Sequence, residues 1–148
     1  MQISEILSSD SVLCGQTFSS KKMTLEEMSK LLANTDPSIS YIEVFDCLVA
    51  REKLGSTGLG KGIAIPHGRL KGSKKTIAAF IQLQHGIDYD AIDEAPVDLL
   101  FALLVPEDST DEHLKTLSHL AEMFSNAEAL EQLRSETSVE GIHKILTG

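Results

Sequence analysis

This 148-residue chain is predicted to fold as α/β: a single layered domain, residues 1–148, with a mixed β-sheet flanked by helices on both faces. Three observations predict it. Short apolar runs of strand length occupy the middle of the chain; amphipathic stretches with helical spacing lie before and after them; and no repeat, low-complexity tract or linker separates the two. With 42% hydrophobic residues and this length, one core is expected. A chain of this size buries about 70% of the surface it exposes when unfolded, so it needs neither disulfides nor a structural metal.

The elements follow in order. From about Ser20 to Ala33, Leu25, Met28, Leu31 and Leu32 recur at helical spacing, and Thr24 with Glu27 has the spacing of a capping box. Asp36 and Pro37 turn the chain. Ser40 and Glu43 then repeat the capping spacing ahead of Ile42, Phe45, Leu48 and Val49, in a second helix predicted to run to about Leu54. Gly55 is placed to end that helix in the left-handed conformation, and Gly58, Gly60 and Gly62 follow. The runs IAI at 63 to 65, IAAFIQL at 77 to 83 and VDLLFALLV at 97 to 105 read as strands covered on both faces. Between the last two, the turn-rich stretch from Gln84 to Pro96 leaves strand direction open. Beyond Pro106, Ser109 and Glu112 are expected to cap a helix with Leu114, Leu117, Leu120, Ala121 and Phe124 inward. Helices through Leu130 and Leu133, and through Val139, Ile142 and Ile145, complete the chain.

Composition narrows the function. Thirteen Lys and Arg against 22 Asp and Glu give a net charge of −9, which repels phosphate backbones and argues against nucleic acid as a partner. No run approaches the roughly 20 apolar residues that span a bilayer, and the first residues, MQISEILSSD, lack the basic and apolar regions of an export signal. A cytoplasmic protein without membrane insertion is expected. Cys14 and Cys47 form no CxxC pair and read as reduced packing residues.

The residues that can carry chemistry cluster around the glycines. GSTGLGKG, from Gly55 to Gly62, begins like a nucleotide-binding P-loop but has Gly62 where Ser or Thr would hold magnesium. It also leaves a helix and enters a strand, the reverse of the P-loop order, so nucleotide binding is rejected. What such a loop can offer is bare N–H groups in an anion nest, with Ser56, Thr57 and Gly58 as its phosphate-binding residues. The loop leads directly to Pro66 and His67. Pro66 restricts the chain entering His67 and Gly68 leaves its other side uncrowded, so of five histidines this one is both held and accessible. A neutral imidazole is nucleophilic near pH 7, and once N-phosphorylated it remains a reactive donor.

Two arginines and a second histidine are placed to assist. Arg51, one helical turn before the loop, is the better candidate to reach a phosphoryl oxygen on His67, while Arg69 suits partner docking. His113 sits in the first turn of its helix, where N–H groups favour negative charge. His119, about 240° further round that helix, does not share a zinc-binding face with it, and no HExxH or Cys/His cluster occurs. DYDAIDEAPVD lacks the spacing and closing glutamate of a calcium loop, and His85 and His143 read as surface or boundary residues. Neither a metal nor a cofactor is expected.

The blocks REKLGSTGLGKGIAIPHGRL, GIDYDAIDEAPVDLLFALLVPE and EHLKTLSHLAEMF, in this order and separation, closely resemble the IIA domains of the fructose/mannitol type in the bacterial phosphotransferase system. The wording of the motifs is most similar to the nitrogen-regulatory members. The resemblance covers nearly the whole chain and implies a mixed sheet flanked by helices, a phosphohistidine at His67 charged by an HPr-like phosphocarrier protein, and supporting roles for Arg51 and His113. Lys61 stands where members of the family often carry asparagine. Two functions compete: a regulator whose phosphorylation state selects its target proteins, and a stand-alone component that passes phosphate to a sugar-specific IIB domain. The regulatory wording and the absence of a fused IIB or membrane segment from this sequence favour the first.

Overall fold

The structure, a computed structural model, describes residues 2–109 and 111–148, with Glu112 described by its backbone alone. The elements in chain order are α1 (Ile3–Ile6), a 3-10 turn, β1 (Val12–Gln16), α2 (Lys21–Ala33), α3 (Tyr41–Lys53), β2 (Gly58–Gly60), β3 (Ile63–Ala64), β4 (His67–Leu70), β5 (Ile77–Ile87), β6 (Val97–Pro106), α4 (Asp111–Phe124), α5 (Ala127–Ser135) and α6 (Val139–Thr147). Among the described residues, no helix is long and apolar enough to cross a membrane.

The central pair is β5 and β6, antiparallel, with Phe80 opposite Phe101 and Ile81 opposite Leu100. β1 lies parallel to β5 on one side, while β3 and β4 lie parallel to β6 on the other, and β2 folds back antiparallel on β3. The sheet is therefore mixed. Of the stretch left open by the sequence, Gln84 to Pro96, the first four residues extend β5 to Ile87, and the remainder returns the chain antiparallel.

The apolar runs are continuous because both faces of the sheet are covered. Alternation along β6 separates two cores: Leu100, Ala102 and Leu104 pack with Leu25, Met28 and Leu32 of α2 and Val44 and Leu48 of α3. Leu99, Phe101 and Leu103 pack on the opposite face with Leu120 and Phe124 of α4, Leu130 and Leu133 of α5, and Ile142 and Leu146 of α6.

Several local expectations are corrected. α2 starts one turn earlier than the Thr24 and Glu27 capping box implies: Ser20 is the cap, accepting from the N–H of Met23, while buried Thr24 sits inside the helix and donates to the Ser20 carbonyl. Ser40 does cap α3, through the N–H of Ile42. Gly55 has φ of 147°, beyond the left-handed helical basin but in a region open to glycine alone. In α4 the phase of the inward stripe differs: Leu114 is 61% exposed and Ala121 is exposed, whereas His113, Thr116, Leu120 and Phe124 face in. The expected cap pairing Ser109 with Glu112 depends on the Glu112 side chain, which lies outside the described residues.

Candidate functional site

β3 and β4 are two halves of one line beside β6, interrupted at Ile65 and Pro66. Ile63 is level with Leu99 and His67 with Leu103. Because paired neighbours point to the same side of a sheet, His67 shares the face of Leu103, toward α4, while Gly68 shares that of Leu104, toward α3. This alternation explains Gly68. A Cβ there would fall well inside contact distance of Cys47 Sγ on α3, whose thiol donates to the Arg69 carbonyl at 3.2 Å. Glycine thus lets α3 close on β4 beside the histidine.

The interruption also orients the imidazole. His67 Nδ1 lies 2.7 Å from the Ile65 carbonyl oxygen. A carbonyl can only accept, so Nδ1 carries the hydrogen and Nε2 keeps its lone pair. Burial pushes the His67 pKa below its ordinary value; the Ile65 hydrogen bond opposes this, and the Arg51 charge adds to it. The ring is therefore neutral near pH 7, with a nucleophilic nitrogen available.

His113 comes from the other layer. Its ring centroid lies 5.5 Å from that of His67, the planes tilted by 48°. It is 7% exposed, and its Nδ1 is buried without a hydrogen-bond partner. Burial, then the proximity of His67 and of Arg69, lowers its pKa as well. A buried ring nitrogen without a partner is costly, and an oxyanion or hydroxyl meeting it would offset that cost.

On the α3 side, Arg51 is half-buried and donates through Nη1 to the Gly55 carbonyl at 2.8 Å. Arg69, exposed on β4, follows the same alternation as His67 and faces the α4 side. His67 and His113 are thus in ring proximity, and the charge of Arg51 reaches His67 as that of Arg69 reaches His113.

The glycine loop is built differently from the expected nest. Gly58 to Gly60 form β2, and a turn with positive φ at Gly60, Lys61 and Gly62 returns the chain into β3. The Thr57 N–H and hydroxyl both donate to Glu52, Gly58 N–H donates to Ser56 Oγ, and Ser56 Oγ donates to the Tyr89 carbonyl. Ser56, Thr57 and Gly58 are therefore committed to holding the loop. Lys61 N–H is received by Asp93 at 3.0 Å, and Arg134 braces the turn, bonding the Lys61 carbonyl and pairing with Asp98 at 2.8 Å. The acidic stretch DYDAIDEAPVD thus supplies structural acceptors as well as solvated charge. His85 is exposed, and His143 Nε2 lies 2.8 Å from the Leu7 carbonyl, tying α6 to the chain after α1.

Two features escaped the sequence. The role of the Ile65 carbonyl is invisible until the strand is seen to break. The buried Glu52 carboxylate had one available signal: a charged residue beside Arg51 in the last turn of an otherwise amphipathic helix.

Comparison with known proteins bears on the family. The family profile described as "Phosphoenolpyruvate-dependent sugar phosphotransferase system, EIIA 2" matches residues 5–148. The chain belongs to this family. A protein named nitrogen regulatory protein, from Pseudomonas aeruginosa, is 44% identical over 146 residues, covering 99% of this chain and 95% of that one. The crystal structure of nitrogen regulatory protein IIA-Ntr from Neisseria meningitidis superposes with a TM-score of 0.94 at 48% identity, covering 98% of this chain and 99% of that one. IIA mannitol from Escherichia coli shares the fold at a TM-score of 0.79 and 22% identity, over 94% of this chain and 97% of that one. The phosphotransferase-system IIA family and the mixed sheet flanked by helices expected from the sequence are both found, and several of the similar proteins are named nitrogen regulatory proteins.

Proposed function

We propose that this IIA-family protein is a phosphohistidine carrier of the cytoplasm: His67 accepts a phosphoryl group from an HPr-like phosphocarrier protein, and the protein acts mainly as a regulator whose phosphorylation state selects its targets. The observation that carries this is the His67 ring, neutral, with Nδ1–H given to Ile65 and Nε2 left free beside His113. The nitrogen-regulatory names of its relatives favour the regulatory branch over delivery to a sugar-specific IIB domain.

In this reading the P–N bond of the donor breaks as a new P–N bond forms at Nε2, with little covalent help needed from the protein. Positioning and charge do the work. The Arg51 guanidinium has donors beyond the one it gives to Gly55, and a fork of this shape suits a phosphoryl oxygen. The unpaired His113 Nδ1, in its protonated tautomer, supplies a second donor without changing net charge. Arg69, exposed on the same side, meets the incoming partner.

The test is incorporation of labelled phosphate from phosphoenolpyruvate through the first enzyme of the cascade and an HPr-like carrier. The native protein is expected to be labelled and His67→Ala to remain blank. Undiminished labelling of His67→Ala would reject the acceptor. Recovery of a sugar IIB domain as the sole partner of the phosphorylated form would reject the regulatory assignment.

A further inference from the structure

Glu52 follows Arg51 on α3, and its side chain is only 5% exposed. A carboxylate so buried is costly unless donors meet its oxygens. Three do. Lys21 Nζ, from the first turn of α2, lies 3.0 Å from Oε1; the Thr57 N–H donates to the same oxygen at 3.1 Å; and the Thr57 hydroxyl donates to Oε2. Tyr89 closes the far side, with its hydroxyl 3.3 Å from Thr57 Oγ1 and its ring 4.4 Å beneath the Lys21 ammonium.

This cluster ties α2, α3, the loop after α3 and the segment after β5 to one another. Its effect on the site is geometric. Thr57 is fastened to Glu52 at two points, and two residues earlier the Gly55 carbonyl receives Arg51 Nη1. The position of that carbonyl sets where the guanidinium rests. Consecutive helix residues do not face each other, so Glu52 takes the loop while Arg51 is left to the site. The ion pair with Lys21 also keeps the carboxylate from competing with a phosphoryl group for Arg51.

We infer that Glu52 is a positioning residue for phosphoryl transfer at His67, fixing through Thr57 the loop against which Arg51 is braced, with Lys21 and Tyr89 as its supports. This rests on the proposed function and adds a residue that never touches the phosphoryl group. The electrostatic influence of Glu52 already reaches His67, where it opposes that of Arg51.

The test measures phosphoryl acceptance from a phosphorylated HPr-like carrier, varied in concentration, for the native protein, Glu52→Gln, Thr57→Val and Thr57→Ser. A misplaced guanidinium lowers kcat about tenfold in Glu52→Gln and Thr57→Val, with the donor KM held within about twofold, because docking is unchanged and only the aim is lost. Thr57→Ser, which keeps the hydroxyl, retains the native rate. The Arg51 Nε–H resonance moves in the first two variants and stays in the third. Should Glu52→Gln fail to fold, Thr57→Val against Thr57→Ser decides the matter. Native kcat in the folded variants, or a rise in KM alone, overturns the inference and leaves the acceptor role of His67 standing. An unlabelled native protein overturns the proposed function itself, and this inference with it, before any variant is compared.

Discussion

At the scale of single residues, the proposed chemistry depends on two imidazoles kept neutral. Both His67 and His113 are held below the ordinary histidine pKa, chiefly by burial. The unfolded chain therefore binds more protons than the native one as pH falls through about 6.5, and native stability is lost over the window between that value and the lowered native ones. Urea midpoints are expected to decline from pH 7 to pH 5, and His113→Phe, which removes one titrating ring at similar volume, to flatten that decline. Arg51→Lys tests another residue-level requirement. A lysine ammonium lacks the fork that serves Gly55 and a phosphoryl oxygen together, so acceptance by this variant should fall by about one to two orders of magnitude with charge preserved, measured as initial labelling rate. The sequence could single out His67, Arg51, Arg69 and His113 as candidates, because each is a chemically distinctive side chain beside a turn or a helix end. Glu52 and the Ile65 carbonyl were not legible there. The Ile65 contact is local but needs the strand to break at Ile65 and Pro66, and Glu52 is met by Lys21 and, through Thr57, by Tyr89, which lie far away in the sequence.

At the scale of elements, close approach decides what is tolerated. Gly68→Ala forces a methyl against Cys47 and should cost about 1–3 kcal/mol, read from the shift in urea midpoint. Adding Cys47→Ala should recover most of that loss, because the obstacle is one sulfur atom. The start of α2 is tested by Ser20→Ala, expected to cost about 1 kcal/mol, whereas Glu27→Gln should cost little because Glu27 plays no part in the cap. These elements also show which parts of the fold a sequence can announce. β6 and the first seven residues of β5 were evident as largely apolar runs, and α3 from its cap, although Ile42, counted in its apolar stripe, is 57% exposed while Val44 and Leu48 are buried. β1 escaped because VLCGQ contains a glycine at positive φ and a shift of register, and β2 because GLG carries almost no side chains. The phase of α4 was misjudged because buried His113 and Thr116 are polar types ordinarily assigned to solvent, while Leu114 is apolar and exposed.

For the whole molecule, the two cores lie on opposite faces of β6, and the site draws Arg51 from one covering layer and His113 from the other. The sheet centre is thus the frame against which both sides of the site are held. Native-state hydrogen exchange should accordingly find its slowest amides in β5 and β6 and faster ones in the β2–β3 hairpin at the sheet edge, with the loop of Ser56 and Thr57 between them. Exchange in that loop as slow as in β6 would contradict a layered site with one rigid centre.

The hydrogen bond from His67 Nδ1 to Ile65 has a further consequence. In the proposed reaction it uses the nitrogen that is not attacked, so the ring can keep the same orientation and the same bond before and after accepting a phosphoryl group. No flip of the imidazole and no exchange of partner separates acceptance from release. In the proposed transfer, so little reorganisation lowers the barrier to giving the group back as much as to taking it, and the direction of net flow is set by the transfer potentials and relative amounts of the loaded and unloaded proteins on either side. A protein acting as proposed is thereby suited to report a balance between them.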